Sequence, residues 1–371
     1  MPQSLATCCL VAACLGSMTI ESPPLKFSQA EPLPALNDVC ANTDGWIGAD
    51  GAHSVALGPH KTLFLYSDTF VGKIKDGKRT NATMVNNSVG ILEGTGTAAK
   101  MRYFVRMDPA GKPMAMITPA DGKGWFWLQA GALVEKKLYL FLPHIERTNV
   151  TSVWGFRCTG LSLGTIANPY DEPTQWKVEQ TRIPFTHFDA DREINFGCAV
   201  CRMGDYLYIY GTDEKPKVIG RDRQLIVARV PIGSIGDTAT WRFFSKGAWI
   251  GDFRSAEHLA GNMGSEASVF YMAEFKKYVL VYSENGLSSK IIARSADEPW
   301  GTWSSPTSVY ECPEMKWDKR IFTYAAKGHA NLSSERELVV SYASNSSDFW
   351  HAASDARIYW PRFIRVAVNQ P

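Results

Sequence analysis

Long apolar runs, basic runs and sustained helical periodicity are all missing from this chain. The one apolar stretch of note, Leu5 to Ile20, is too short and too rich in small residues to span a bilayer, which takes ~20 apolar residues as a helix. It reads as a secretion signal within residues 1–22. Its n-region has no Lys or Arg, and Val11-Ala12-Ala13-Cys14 also fits a lipoprotein box that would put a lipid anchor on Cys14. Lys and Arg number 39 against 37 Asp and Glu, a formal net charge of +2. With no extended basic run, nothing here would track a phosphate backbone, and nucleic acid is not an expected partner. No segment holds a 3.6-residue period, which leaves strands as the building material.

Cysteine is sparse as well. Three of the eight, Cys8, Cys9 and Cys14, fall in the leader, leaving Cys40, Cys158, Cys198, Cys201 and Cys312. An odd number in an exported chain means at least one free thiol, so core cysteines with room for one disulfide are expected. Cys198 and Cys201 lie in a strand-like run, where residues three apart point to opposite faces, and no metal is expected on them.

What the chain does have is aromatic and aliphatic bulk: 12 Trp, 14 Tyr and 18 Phe, within 45% hydrophobic residues, enough for a large core. Five segments share one design of small residues, a short apolar strand, a tight polar turn and an aromatic-aliphatic strand. They span residues 48–69, 128–144, 195–212, 265–285 and 327–345, with second strands centred near 65, 140, 208, 280 and 340. The spacing leaves room for four strands per unit. Repeated four-stranded antiparallel units predict an all-β, five-bladed β-propeller over residues 40–368, in which closure shields the sheet edges. A sandwich or a two-domain β protein is the alternative, and neither accounts for five evenly spaced copies. The Pro-rich stretch within residues 23–39 reads as a linker.

Inner strands of a propeller line its channel, so the starts of the repeats are where chemistry is sought. A hairpin folded about Pro59 places Asp50 opposite Asp68, and cross-strand Cβ atoms lie ~5 Å apart. Two carboxylates that close raise one another's pKa, as general acid/base catalysis requires. Shifted by 216 residues, Asp50 falls on Glu266 and Asp68 on Glu284. The other repeats carry Pro143, Thr212 and about Ser344 at the second position. Solvated acids at hairpin ends are the competing reading.

Gly48-Ala49-Asp50-Gly51, Ser67-Asp68-Thr69-Phe70 and Met84-Val85-Asn86-Asn87-Ser88 resemble exported propeller domains that include bacterial endo-D-arabinanases. More distantly, Ser265-Glu266-Ala267-Ser268-Val269-Phe270 resembles the general-acid strand of arabinanase and xylosidase propellers, and Gly328-His329-Ala330 the Gly-His of their last blade. The resemblance implies a secreted bacterial glycosidase. Asp50 and Asp68 would be the acid pair and Glu266 an auxiliary acid; no cofactor would be required, and a central water cluster or structural calcium is allowed. Asn195-Phe196-Gly197 departs from it, since the wider furanosidases carry a further Asp there.

Sugar rings stack on indoles, and Trp127, near the channel end of an inner strand, is the preferred platform, ahead of Trp125, Trp350 and Tyr359. Asn87, His329 and Glu284 complete the expected substrate contacts, with a local backbone cap as the alternative for Asn87 and a satisfied core histidine for His329. Arg294 to Trp303 is similar to the Asp-box turn of sialidases and is expected to be structural. Two functions follow from these features. The first is hydrolysis of a furanose-containing or related polysaccharide by paired carboxylates. The second is glycan binding without catalysis.

Overall fold

The computed structural model describes residues 23–215 and 222–370, so the secretion signal expected over residues 1–22, and Cys14 with it, lies outside the described residues. Five antiparallel sheets follow one another along the chain as the blades of a β-propeller. From the innermost strand outward, blade 1 holds Asp44–Gly58, Lys61–Lys75, Ser88–Glu93 and Lys100–Phe104. Blade 2 holds Gly131–Val134, Lys137–Arg147, Phe156–Ile166 and Val178–Ile183, and blade 3 holds Glu193–Met203, Tyr206–Glu214, Gln224–Pro231 and Arg242–Ser245. In blade 4 come Ala267–Met272, Lys277–Ser283, Lys290–Ala296 and Thr307–Glu311; in blade 5, Ile321–Gly328, Glu337–Ser346 and Pro361–Asn369. The five sequence repeats are the first two strands of each blade.

Packing explains why the second strands read as unbroken apolar runs. Every residue of Lys277–Ser283 is buried, because each blade is sandwiched between two neighbours. Five apolar clusters fill the gaps between blades 1 and 2, 2 and 3, 3 and 4, and 4 and 5, and then between 5 and 1, which closes the ring. The last cluster sets Trp46 and Phe64 of blade 1 against Val339 and Phe363 of blade 5.

The stretch read as a linker is part of this closure. Lys26–Phe27 and Glu31–Pro32 pair with Pro361–Asn369 and supply the outer edge of blade 5. Leu25 is buried against blades 4 and 5, and Asn37, on the helix Pro34–Cys40, binds the Phe363 backbone through both side-chain atoms. A blade with only three of its own strands would otherwise expose a hydrogen-bonding edge. Pro32 is tolerated because it sits on that edge.

All five described cysteines are free. Cys198 and Cys201 do not face opposite ways: both pack in the cluster between blades 3 and 4. A bulge between Phe196 and Ala199, with Gly197 at φ +96°, inserts residues and breaks the strand parity. Burial pushes both thiols up to about 12, which keeps them protonated and poor metal ligands. Among the described residues no helix is long and apolar enough to cross a membrane.

Candidate active site

Bulges aim the first acid. The register of Asp44–Gly58 against Lys61–Lys75 slips between Trp46 and Ala49, again before Gly51, and again before His53. Ala49 pairs with Thr69 and Gly51 with Tyr66, so Asp50 lies opposite the Ser67-Asp68 step and not Asp68 alone, as an unbulged hairpin would have it. Gly48 is required here: at φ +130°, a Cβ would sit 2.5 Å from the Tyr359 carbonyl oxygen.

Asp50 Oδ2 accepts from the Tyr324 hydroxyl at 2.6 Å and from Tyr359 at 3.2 Å. Its Oδ1 is buried with no hydrogen-bond partner among the described residues. Burial first, and then Asp68, push the Asp50 carboxyl up to about 8 against the pull of Tyr324. Asp68 is also raised by burial, to about 6, although its Oδ1 accepts from Trp127 Nε1 and Asn86 Nδ2, both at 3.1 Å.

Glu266, just ahead of the inner strand of blade 4, has the opposite surroundings. Its Oε2 lies 2.8 Å from Lys327 Nζ and 3.2 Å from His53 Nε2. Burial raises its pKa, but the Lys327 charge and then His53 outweigh that and hold it at about 2. His53, lowered by burial and Lys327 to about 4, is neutral at pH 7. A carboxylate can only accept, so Nε2 carries the imidazole proton. Glu266 also acts electrostatically on Asp50, which makes the three carboxyls one group with staggered affinities for protons.

The other expected contacts divide. Trp127 is at the site, and its ring also meets Phe156 edge-on at 4.8 Å. Asn87 is withdrawn from the funnel: wholly buried, it donates to the Ile117 and Phe126 carbonyls and accepts from Ile117 N–H. Its neighbour Asn86, in the turn between Lys78–Val85 and Ser88–Glu93, is the amide that reaches an acid, donating to Asp68. His329 is a satisfied core histidine between Ser54 and Ser341, with both contacts at 2.8 Å. Glu284 is not brought to the acids; Ala267 pairs with Tyr282, which carries it past the strand, near Lys290. Asn195 leaves its Oδ1 buried and unpartnered among the described residues.

Sequence reasoning missed His53, Asn86, Tyr324 and Lys327. Two signals were present: His53 follows Asp50 by three residues, and Lys327 immediately precedes Gly328-His329. The Asp-box-like turn is structural. Asp297 pairs with Lys277 at 2.9 Å, and Trp300 stacks on Tyr208 with ring centres 5.6 Å apart.

Residues 35–368 match the sequence profile of a family described as a domain of unknown function (DUF5005). No curated protein matches the chain in sequence. Among solved structures, a candidate hydrolase from Bacteroides ovatus is similar at 18% identity and TM-score 0.73, over 92% of this chain and 93% of that one. An α-L-arabinofuranosidase from Podospora anserina, in complex with cellotriose, aligns at 11% identity and TM-score 0.48, over 94% and 98%. The catalytic domain of a Coprinopsis cinerea α-L-arabinofuranosidase aligns at 9% identity and TM-score 0.49, over 93% and 98%. At 18% identity the likeness to the Bacteroides ovatus protein is one of fold.

Proposed function

We propose that this chain, which belongs to the DUF5005 family over residues 35–368, is a glycoside hydrolase acting on a furanose-containing or related polysaccharide. One observation carries the reading: buried carboxyls near one another have opposed partners, Asp50 meeting only the Tyr324 and Tyr359 hydroxyls and Glu266 meeting Lys327 and His53, which raises the pKa of the first and depresses that of the second. Such separation is what assigns acid and base roles to like groups. Asp50 holds a proton at neutral pH and presents Oδ1 as the general acid to the leaving glycosidic oxygen. Asp68, ionised above about 6, serves as nucleophile or as the base that activates water. Glu266, fixed as an anion by Lys327 and His53, favours retention of the Asp50 proton.

Aromatic surface beside the acids suits a sugar. Trp127 donates to Asp68, and the rings Trp154, Phe322 and Tyr324, with centres 5.3 and 5.4 Å apart, lead from the rim to Asp50. Trp350, 78% exposed, stands apart as a surface residue. The leader over residues 1–22 supports a secreted or cell-envelope location, and N-terminal sequencing of exported protein tests it.

Release of new reducing ends from arabinans, xylans and mixed cell-wall glycans tests the activity, with Asp50→Asn as the inactive control. Asn195, standing where the wider furanosidases carry an acid, favours glycan binding without catalysis as the second reading. Retention of a glycan on an affinity gel with no hydrolysis by wild type would select it.

A further inference from the structure

The resemblance of Gly328-His329 to a metal-supporting last blade makes a central cation a fair expectation, and the donors converging there can be tested against one. Gly51 O from blade 1, Ala325 O from blade 5 and Glu266 Oε2 from blade 4 are aimed at a single point. Two carbonyls and a carboxylate form the hard oxygen set that calcium selects. That point is already filled by Lys327 Nζ, at 2.6 Å from Ala325 O, 2.8 Å from Glu266 Oε2 and in close contact with Gly51 O.

The fit is stoichiometric. An ammonium has three donors; two carbonyls accept from it and the Glu266 carboxylate pairs with it at 2.8 Å, one oxygen from each of three blades. Lys327 is 1% exposed, so its head does not reach solvent as buried lysine stems usually allow. Local backbone arranges this: a bulge between Tyr324 and Lys327, with Ala325 at φ +59°, interrupts the strand beside the Ala325 carbonyl. His329 offers no ligand, since Ser54 and Ser341 engage both ring nitrogens. A calcium ion would have to displace a buried side chain, so the residues present do not fit one.

We propose that Lys327 is a built-in cation that takes the place of a central metal ion, joining blades 1, 4 and 5 and holding Glu266 ionised. Lys327 is thus a positioning residue, and the inference stands whether or not the funnel hydrolyses sugar. Truncation of Lys327 should uncover the oxygen cradle and create a calcium site that the native chain lacks.

The test is thermal unfolding of wild type, Lys327→Ala and Lys327→Met, each with EDTA and with a calcium series, alongside calcium content by mass spectrometry. Wild type should carry far less than one equivalent of calcium and keep its Tm under EDTA. Lys327→Ala should unfold several degrees lower and regain at least half of that loss in millimolar calcium, with no such recovery in equal ionic strength of choline chloride. Lys327→Met, which fills the cradle with an apolar chain, should stay insensitive to calcium. A wild-type protein that holds one equivalent of calcium and loses Tm under EDTA would overturn the proposal, even if neither variant folds. So would a folded Lys327→Ala that calcium does not stabilise.

Discussion

Asp50, within the inner strand of blade 1, and Glu266, just ahead of that of blade 4, occupy corresponding places in their repeats and are both mostly buried, and yet their affinities for a proton are shifted in opposite directions. Burial acts the same way on each, disfavouring the charged form. The partners decide the outcome. Asp50 is met by two neutral hydroxyls and a second carboxyl, which cannot repay the lost hydration; Glu266 is met by an ammonium and an imidazole N–H, which can. A propeller repeats its backbone but not its neighbours, and one scaffold can therefore hold an acid and an anion in the same funnel.

The largest break in this comparison is Asp50→Asn, which keeps the shape and removes the proton. It should lower kcat by a factor on the order of a thousand or more in the reducing-end assay while circular dichroism stays native. Lys327→Met attacks the other side. Leaving Glu266 without its cation should cost about 3–5 kcal/mol in chemical denaturation, because a half-removed buried pair strands a charge. Asn87→Ala should cost about 1–3 kcal/mol by leaving the Ile117 N–H and the Phe126 carbonyl unpaired. Its KM on any glycan that is cleaved should not change, which separates a structural amide from a binding one.

Tyr324→Phe sharpens the contrast. The hydroxyl stabilises ionised Asp50, so its loss should raise that pKa further and move the alkaline limb of the rate profile up by about one pH unit. Stability should follow pH in the matching sense. A raised carboxyl favours the folded state fully below its unfolded value of 3.8, and that contribution is lost as pH rises through about 8. Glu266 contributes above its unfolded value of 4.5, and loses that as pH falls toward about 2. Asparagine does not titrate, so the Tm of Asp50→Asn relative to wild type should climb between pH 4 and pH 8.

Much of this is legible in the amino-acid sequence. The five hairpins show because strands buried between blades must be apolar, and Asp50, Asp68, Glu266 and Trp127 show because they fall on or just before the first two strands of the repeats. Irregular backbone is what the alternation pattern does not show: the turn between Val85 and Ser88 brings Asn86 rather than Asn87 to Asp68, and the bulge between Phe196 and Ala199 puts Cys198 and Cys201 in one cluster. Lys327 was hidden because lysine is seldom buried without a partner, and its partners lie 276 and 61 residues away in sequence. The segment 23–39 failed for the same reason, since the strand it pairs with is at the far end of the chain.

The central claim is that Asp50 is protonated at neutral pH, and the most direct measurement is a carboxyl-carbon NMR titration of aspartate-labelled protein. Comparison with Asp50→Asn identifies the resonance. The account predicts that the Asp50 signal titrates near 8, with a smaller response as Asp68 titrates near 6, since neighbouring acids share their titration. A single transition near the ordinary aspartate value of 3.8, in folded protein, would contradict it and return Asp50 to the class of solvated hairpin-end acids.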